Sequence, residues 1–342
     1  MTDNNKLRIG TRGSPLALTQ TGHVVEKLKE LHPILRGKGM TEMVVIKTTG
    51  DRVQNQLLAS IGGKGLFTKE LDEAMLRDEI DIAIHSMKDM PTFIPEGILL
   101  HAIMKREDPR DAFISNKAAS FKDLPQGATL GTASLRRKAQ ILNQRPDLKV
   151  VPFRGNVDTR LRKLNDGEAD ATLLAYAGLK RLGKGDVATS AIEIEDLLPA
   201  VGQGILAATC REGDKRAHAL LAPLGDAETV SAALAERAML AVLDGSCQTP
   251  IGGFAQMNGT GNLVLRGNIA RPDGAEIAEI EISGPVAEAE QLGKKAADQL
   301  LLKAAPSIIE AIKSDQSYII RPHPEMESPE NLTKNVNDNA EN

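Results

Sequence analysis

The sequence predicts two α/β domains of similar build, followed by a small α+β domain with an antiparallel sheet. At the start of the chain, short apolar runs alternate with segments of helical periodicity, which is typical of parallel strands joined by helices. Two segments then recur: residues 9–20, "IGTRGSPLALTQ", resemble residues 130–140, "LGTASLRRKAQ", and residues 79–84 resemble residues 168–173. Beyond Asp226, strand-like runs are grouped together and flanked by helices, which favours a separate α+β domain.

The elements of the first domain follow in order. The run "KLRIG" predicts a buried strand, and Ser14 with Pro15 predicts a capped helix start, because both residue types suit the first positions of a helix. Pro33 ends that helix, and "EMVVIKT" predicts the second strand. The glycine-rich stretch 51–67 has no clear period and predicts a long loop, a candidate mobile lid. "FTKELDEAMLRDE" then predicts a helix and "IDIAIH" a strand, so the sheet is expected to be parallel.

The third domain is predicted to contain a helix over residues 228–243, the strands "GFAQM", "LVLRGNIA" and "AEIAEIEIS", and a closing helical stretch over residues 287–312. The expected boundaries are residues 1–105 with 203–225 for the first domain, 106–202 for the second, 226–318 for the third, and 319–342 for a disordered tail.

Composition excludes several classes of function. The 342 residues carry a net charge of −4, so the surface as a whole is not that of a polyanion-binding protein. Aromatic residues make up only 2% of the chain, so platforms for stacking bases are nearly absent and no nucleic-acid partner is expected. No apolar run approaches the roughly 20 residues that a membrane span requires, so no membrane partner is expected. The two cysteines and the polar start of the chain favour the cytoplasm.

The six histidines are scattered, and none has a cysteine or carboxylate at the spacing of metal ligands. No metal site is therefore expected from the sequence.

Basic side chains gather at one topological position. They follow predicted strands or open the next helix, where a doubly wound fold binds ligands and helix N-termini add positive potential. These residues are Arg12, Lys88, Arg136, Arg137, Arg154, Arg160 and Arg181. The alternative is that these residues are solvated surface charges. For any single arginine, the residue type does not decide between a ligand-binding role and a place on the solvated surface. Gathered arginines repel one another, so a ligand with several carboxylates or phosphates would account for all of them.

One acid and one thiol also stand out. Asp89, in "HSMKDMP", lies among the cations and suits the stabilisation of a developing cation or the donation of a proton to a departing amine. A turn residue or helix cap is the alternative for Asp89. Cys247, in "LDGSCQTPIGG", lies among small and polar residues, whereas Cys210 lies in the apolar run "ILAATC". An accessible thiol is a candidate nucleophile or attachment point.

Nine blocks occur in an order that resembles the porphobilinogen deaminase (hydroxymethylbilane synthase) family. They are "LRIGTRGSPLAL", "GGKGLFTKEL", "DIAIHSMKDMP", "KREDPRDAF", "GTASLRRKAQ", "RGNVDTRL", "AGLKRLG", "LPAVGQG" and "GSCQTPIGG". The resemblance runs from Leu7 to the end of the third domain. It implies two domains similar to periplasmic binding proteins, a small C-terminal domain, and a monomer. It also implies a transferase of porphyrin biosynthesis that joins four porphobilinogen molecules head to tail, with loss of ammonia, into the linear tetrapyrrole hydroxymethylbilane.

The resemblance further implies a self-made dipyrromethane cofactor joined to Cys247 through a thioether, with Asp89 as the catalytic residue. The residues implied to hold the dipyrromethane are Ser86, Lys88, Thr132, Ser134, Arg136 and Arg137. The residues implied to hold incoming porphobilinogen are Arg12, Ser14, Arg154, Arg160 and Arg181. Each pyrrole of the substrate carries two carboxylates, which suit charge-assisted arginine contacts.

Three positions depart from the family pattern: Ala133 and Ser246 replace residues usual in the family, and Asp158 adds a negative charge near a predicted carboxylate site. Asp158 is expected to weaken substrate affinity. The competing class of function is a two-domain solute-binding or effector-sensing protein that closes on a carboxylate without chemistry, since the fold alone does not give the function. A covalently attached pyrrole would distinguish the enzyme from such a sensor.

Overall fold

A computed structural model describes residues 6–49, 65, 67–243 and 249–314. Most of the predicted lid at residues 51–67, the thiol of Cys247 and the predicted tail at 319–342 lie outside these described residues. The strands are β1 (Leu7–Arg12), β2 (Thr41–Ile46), β3 (Ile82–Ser86), β4 (Ile98–Ile103), β5 (Asp111–Ser115), β6 (Thr129–Gly131), β7 (Lys149–Val151), β8 (Ala171–Ala175), β9 (Ser190–Ile192), β10 (Leu206–Arg211), β11 (Ile251–Met257), β12 (Asn262–Ala270) and β13 (Ile277–Pro285). The α-helices are α1 (Pro15–Leu31), α2 (Lys69–Leu76), α3 (Leu135–Gln144), α4 (Val157–Asn165), α5 (Tyr176–Arg181), α6 (Lys215–Leu221), α7 (Ala227–Val242), α8 (Ala289–Lys303) and α9 (Pro306–Ser314).

Two five-stranded sheets have the same layout. The first has the strand order β2-β1-β3-β10-β4, and the second has the order β7-β6-β8-β5-β9. The recurring segments of the sequence occupy equivalent strands, β1 with β6 and β3 with β8. The predicted fold class, two α/β domains of similar build and a third domain with an antiparallel sheet, is thereby confirmed.

The expectation of purely parallel pairing is wrong for one strand in each sheet. Strand β10 pairs antiparallel with β3 and β4, and strand β5 pairs antiparallel with β8 and β9. Each of these strands follows a segment that crosses from one sheet to the other. Local periodicity cannot predict which strands β5 and β10 pair with, because the pairing depends on where the chain enters one sheet after it leaves the other.

Helix α1 begins and ends where the sequence predicts. The Ser14 hydroxyl accepts the backbone N–H of Ala17 at 3.2 Å, and Pro15 is the first helical residue. The helix ends at Leu31, two residues before Pro33, because proline cannot continue the hydrogen-bonding pattern.

The third domain packs two helices on the three-stranded antiparallel sheet β11-β12-β13. Leu263 and Leu265 of β12 are buried against Met239 of α7 and Leu300 of α8. The predicted closing helix is divided in two, because Pro306 opens α9 and disfavours helical backbone at the residue before it. Among the described helices, none combines the length and the apolar character that crossing a bilayer requires.

Glu236 of α7 connects the third domain to both segments of chain that cross between the two five-stranded sheets. Its carboxylate is fully buried and accepts from Arg106 Nη2 at 2.7 Å, from the Gly202 amide at 2.8 Å and from the Ala255 amide at 2.7 Å. Arg106 follows β4 and Gly202 precedes β10, so one buried carboxylate contacts both connections between the two sheets. The third domain therefore helps to fix the geometry of the cleft between the first two.

Candidate active site

The carboxyl ends of β1 and β3 bring two predicted site residues together. These strands are parallel neighbours, so Arg12 at the end of β1 and Asp89 just beyond β3 lie at the same edge of the sheet. Arg12 Nη1 lies 3.9 Å from Asp89 Oδ2, and its guanidinium lies 4.1 Å from the ring centre of Phe67. The Asp89 side chain keeps a third of its surface exposed, which leaves its carboxylate accessible to a ligand.

The equivalent edge of the second sheet carries Thr132 and Ser134, whose hydroxyl groups are predicted to bind the cofactor. Thr132 follows β6 and is buried, and its hydroxyl accepts the Ser134 amide at 3.2 Å. The Ser134 hydroxyl in turn accepts the Arg137 amide at the start of α3. Arg154 follows β7, and Arg160 lies on α4 with its Nε donating to a nearby backbone carbonyl at 2.9 Å.

Arg136 and Arg137 are buried around one carboxylate that the sequence did not single out. Asp111 Oδ2 accepts from Arg136 Nη2 at 2.8 Å, and Asp111 Oδ1 accepts from Arg137 Nη2 at 2.7 Å. The remaining Nη1 groups donate to the carbonyls of Leu198 and Leu173. Burial alone would raise the pKa of the Asp111 carboxyl, but the two guanidiniums hold it well below its usual range.

Gln203 joins this buried charge centre to the first domain. Its Nε2 donates to Asp111 Oδ1 at 3.0 Å, and its Oε1 accepts from Lys88 Nζ at 3.3 Å. A continuous series of contacts thus runs from Arg137 through Asp111 and Gln203 to Lys88, next to Asp89. The two sheet edges that carry the predicted site residues therefore meet across one cleft.

The glycines on either side of Gln203 are required by the backbone. Gly202 has φ +72° and Gly204 has φ +88°, in the left-handed region that favours glycine. A Cβ on Gly204 would lie 2.3 Å from the Glu107 carbonyl oxygen. The block "VGQG" thus lets the segment that leads into β10 lie against the segment that follows β4. It also places the Gln203 side chain between the two sheets.

Burial and neighbouring cations disfavour the charge of two groups in the cleft, Arg160 and Lys88. Burial, followed by the neighbouring charges of Arg137 and Arg154, lowers the pKa of the Arg160 guanidinium to about 10. Burial lowers the pKa of the Lys88 ammonium to about 8, with Asp89 opposing the shift and Arg137 adding to it. Clustered cations that disfavour one another's charge are suited to a ligand with several negative groups.

The remaining predicted residues also lie at these edges. Ser86 Oγ donates to Gln20 Oε1 at 3.1 Å, and Ser14 caps α1. Arg181 Nη2 donates to the Gly204 carbonyl at 2.6 Å. The structure does not describe Cys247, so its place relative to the cleft stays a prediction.

Asp158 has a partner that the sequence did not indicate. Its carboxylate forms an ion pair with Lys184 Nζ on the exposed surface. The expected weakening of substrate affinity by Asp158 is therefore reduced, because the added negative charge is offset locally. Nothing in the structure explains Ala133.

His85, one residue before Ser86, gives the fold a pH dependence. It is buried, and burial, with a smaller contribution from the charge of Arg12, lowers the pKa of its imidazole to about 4. The folded state then binds the proton more weakly than the unfolded state, so stability is complete above about pH 6.5 and is lost as the pH falls towards 4. Between pH 7 and pH 4 this loss is expected to reach about 3 kcal/mol.

Urea unfolding of the wild type and His85→Gln, measured from pH 7 to pH 4, tests this expectation. The free energy of unfolding of the wild type, minus that of His85→Gln, should fall by about 3 kcal/mol from pH 7 to pH 4. The same substitution at His23, which is exposed on α1, is the control for the replacement itself. Parallel curves for His85→Gln would contradict the assignment.

Two family models and several known proteins match most of the chain. The family model described as "Porphobilinogen deaminase, dipyromethane cofactor binding domain" matches residues 7–219, and the model of the C-terminal domain of porphobilinogen deaminase matches residues 230–302. The chain is 51% identical over 311 residues to the chloroplastic porphobilinogen deaminase of Pisum sativum, covering 89% of this chain and 84% of that protein. It is 52% identical over 296 residues to the porphobilinogen deaminase of Paracoccus denitrificans (strain Pd 1222), covering 86% of this chain and 94% of that protein.

Among solved structures, the methionine binding protein MetQ matches with a TM-score of 0.40 and 13% identity, covering 65% of this chain and 90% of that one. The agreement of both family models and of relatives at about half identity, over nearly the whole described chain, carries the assignment. The chain therefore belongs to the porphobilinogen deaminase family and polymerises porphobilinogen, with loss of ammonia, into the linear tetrapyrrole hydroxymethylbilane on a dipyrromethane cofactor.

Proposed function

We propose that the residues of the cleft divide into two binding groups on either side of Asp89. The cofactor group consists of Cys247, Ser86, Lys88, Thr132, Ser134, Arg136 and Arg137. The substrate group consists of Arg12, Ser14, Arg154, Arg160 and Arg181. In this division the cofactor lies across the series of contacts that joins the two sheets, and each new porphobilinogen enters on the arginine side.

The cofactor group suits a ligand that carries carboxylates. Lys88 Nζ has three N–H groups, and within the described residues it has one acceptor, Gln203 Oε1. Ser134 opens helix α3, whose N-terminal amides add positive potential at the same edge of the sheet. Carboxylates of a dipyrromethane would supply the acceptors that Lys88 lacks. Asp111 already orients Arg136 and Arg137, and the positive charge that this one carboxylate leaves uncompensated adds to the potential of the cleft.

Arg160 carries the substrate assignment. Within the described part of the chain, no carboxylate forms an ion pair with Arg160, while Arg137 and Arg154 lie near enough to disfavour its charge. A half-buried guanidinium in these surroundings is costly unless an anion binds beside it. The two carboxylates of porphobilinogen meet that need, and planar guanidiniums can bind them through paired hydrogen bonds.

Asp89 is proposed to stabilise the cation that forms when ammonia leaves the substrate. The electron pair of the breaking C–N bond departs with the ammonia, and the positive charge spreads over the pyrrole ring and its N–H. An accessible carboxylate can accept that N–H and oppose the developing charge. Arg12 Nη1 forms an ion pair with this carboxylate at 3.9 Å, and the Arg12 guanidinium lies over the ring of Phe67. Asp89 can also take up the proton that the attacking α-carbon loses.

When bound, the dipyrromethane supplies the free α-carbon on which the first new C–C bond forms. Its proposed attachment point, Cys247, lies in the stretch of chain between α7 and β11. A thioether at that position would keep the primer in place through successive additions, since it is more resistant to cleavage than an ester.

Arg160→Leu tests the substrate group. Loss of a charge-assisted hydrogen bond to the substrate is expected to raise KM for porphobilinogen at least tenfold, with a smaller change in kcat. Arg162→Leu removes the same charge from an exposed position on the same helix, α4, and is expected to leave KM within twofold of the wild type. If Arg160→Leu also stays within twofold, the assignment of Arg160 to substrate is wrong.

Three further expectations remain predictions: a cytoplasmic location, a monomeric state and the absence of a nucleic-acid partner. They are supported by composition and by the family resemblance. The domain boundaries at residues 1–105 with 203–225, 106–202 and 226–318 are likewise proposed, and the membership of β10 in the first sheet supports them.

A further inference from the structure

A cluster of two histidines and one cysteine lies at the other end of the first sheet from the candidate active site. His101 of β4, Cys210 of β10 and His218 of α6 each offer a metal-ligating atom, and these three atoms lie within 4.8 Å of one another. Strand β10 pairs with β3 so that Leu206 is opposite Ser86 and Cys210 is opposite Ile82. The cluster is therefore four strand residues, about 13 Å, from the edge that carries Asp89.

The strand geometry accounts for the direction of His101. The pairing of β4 with β10 shifts register between Ala208 and Thr209, opposite the stretch of β4 that contains His101. A bulge of this kind redirects a side chain that regular alternation would place elsewhere. His101 is thereby brought against His218, and the two rings stack with centroids 4.5 Å apart and planes inclined by 13°.

The hydrogen bonds of both imidazoles leave the Nδ1 atoms as lone-pair donors. His101 Nε2 lies 3.1 Å from the His218 carbonyl oxygen, and His218 Nε2 lies 3.1 Å from the Arg211 carbonyl oxygen. A carbonyl oxygen only accepts, so in the neutral rings each Nε2 carries the proton and each Nδ1 carries the free electron pair. Metal-binding histidines are typically oriented in this way, by donating the other N–H to a backbone carbonyl.

One of these atoms is otherwise unexplained. His101 Nδ1 is buried and has no hydrogen-bond partner among the residues that the structure describes. Buried polar atoms in proteins are nearly always satisfied, so this lone pair, beside a second imidazole and a thiol, is available to bind a metal ion. Cys210 is fully buried, and both histidines are half-buried, which leaves the open side of the cluster on the imidazoles.

We propose that His101, Cys210 and His218 form a zinc site with two nitrogen ligands, one sulfur ligand and water in the fourth position. In tetrahedral zinc sites the ligand atoms are roughly 3.3–3.6 Å apart, so binding would draw these three atoms, which lie within 4.8 Å of one another, closer together. The thiol of Cys210 loses its proton to the solvent as the Zn–S bond forms. The ion would link β4, β10 and α6 and stabilise the first domain without entering the active site. His101 is far from the other two residues in the sequence, and Cys210 and His218 are eight residues apart, which is wider than the usual spacing of paired zinc ligands. Ligand spacing therefore gave no sign of the cluster.

Zinc binding to the untagged, chelator-treated holoenzyme provides the test. Equilibrium dialysis against ZnCl2 is expected to give one ion per chain, accompanied by a rise in Tm. His218→Gln and His101→Leu are each expected to weaken the affinity at least tenfold, whereas His23→Gln, at an exposed position on α1, is the matched control and should bind as the wild type does.

Cobalt identifies the sulfur ligand. Co2+ in the site is expected to give a near-ultraviolet thiolate charge-transfer band that Cys210→Ser loses. If Cys210→Ser does not fold, the histidine variants still decide the matter. Absence of stoichiometric zinc in the wild type, unchanged affinity in His218→Gln, or a charge-transfer band that persists in folded Cys210→Ser would each overturn the proposal.

Discussion

Asp89→Asn is expected to lower kcat for porphobilinogen at least 100-fold in protein that is folded and loaded with cofactor. The amide keeps an oxygen that can accept a pyrrole N–H, but it carries no charge to oppose the cation that forms when ammonia leaves. Removal of a single group that stabilises transition-state charge typically costs two to three orders of magnitude in rate. The substitution should not disturb the fold, because a third of the side chain is exposed and its ion pair with Arg12 spans 3.9 Å.

Asp158→Asn is the matched control for this experiment. It makes the same chemical change at a second carboxylate in basic surroundings, one that pairs with Lys184 on the surface. Turnover is expected to stay within twofold of the wild type, and urea unfolding should confirm that both variants are folded. Turnover of Asp89→Asn within threefold of the wild type would contradict the catalytic role of Asp89.

Asp111→Asn is expected to lower the free energy of unfolding by about 3–5 kcal/mol. The wild-type carboxylate compensates two buried guanidiniums, those of Arg136 and Arg137, and also accepts from Gln203. Asparagine has one oxygen for these donors and no charge, so it leaves two buried cations uncompensated. Because the same carboxylate orients the arginines of the cofactor group, the variant should also retain its dipyrromethane poorly.

Urea unfolding at pH 7 measures this effect, with Asp166→Asn as the control. Asp166 is exposed just after α4, and its substitution is expected to change stability by less than about 0.5 kcal/mol. A loss below about 1 kcal/mol in Asp111→Asn would show that the buried charge centre does not depend on this carboxylate.

Much of the fold could be predicted from local patterns. The cap at Ser14 and the proline that follows it place the start of α1, and the recurrence of "GT" before a serine cap places β1 and β6 in equivalent positions. The antiparallel strands β5 and β10 could not be predicted, because their partners are set by how the chain crosses between domains. The resemblance to the porphobilinogen deaminase family is confirmed by the family models and by relatives at about 50% identity.

The candidate site was predicted less completely than the fold. The basic residues were found because they recur after strands, but Asp111 was missed, since it lies 25 residues from Arg136 and pairs with it only in the folded chain. The sequence does offer one sign of Asp111, which is an acidic residue at the start of the apolar run "DAF". Gln203 was also missed, although two glycines with left-handed backbone flank it. Local sequence carries residue type and periodicity, whereas these contacts depend on segments that meet only after folding.

Cys247 is proposed to tether a dipyrromethane in the cleft where Asp89 acts. Intact-protein mass spectrometry of the active enzyme tests it most directly. The wild type is expected to exceed the mass of its polypeptide by two pyrrole units, and Cys247→Ser is expected to show no excess and no turnover. Active wild-type protein of unmodified mass, or an excess that persists in Cys247→Ser, would contradict the attachment of the cofactor to Cys247.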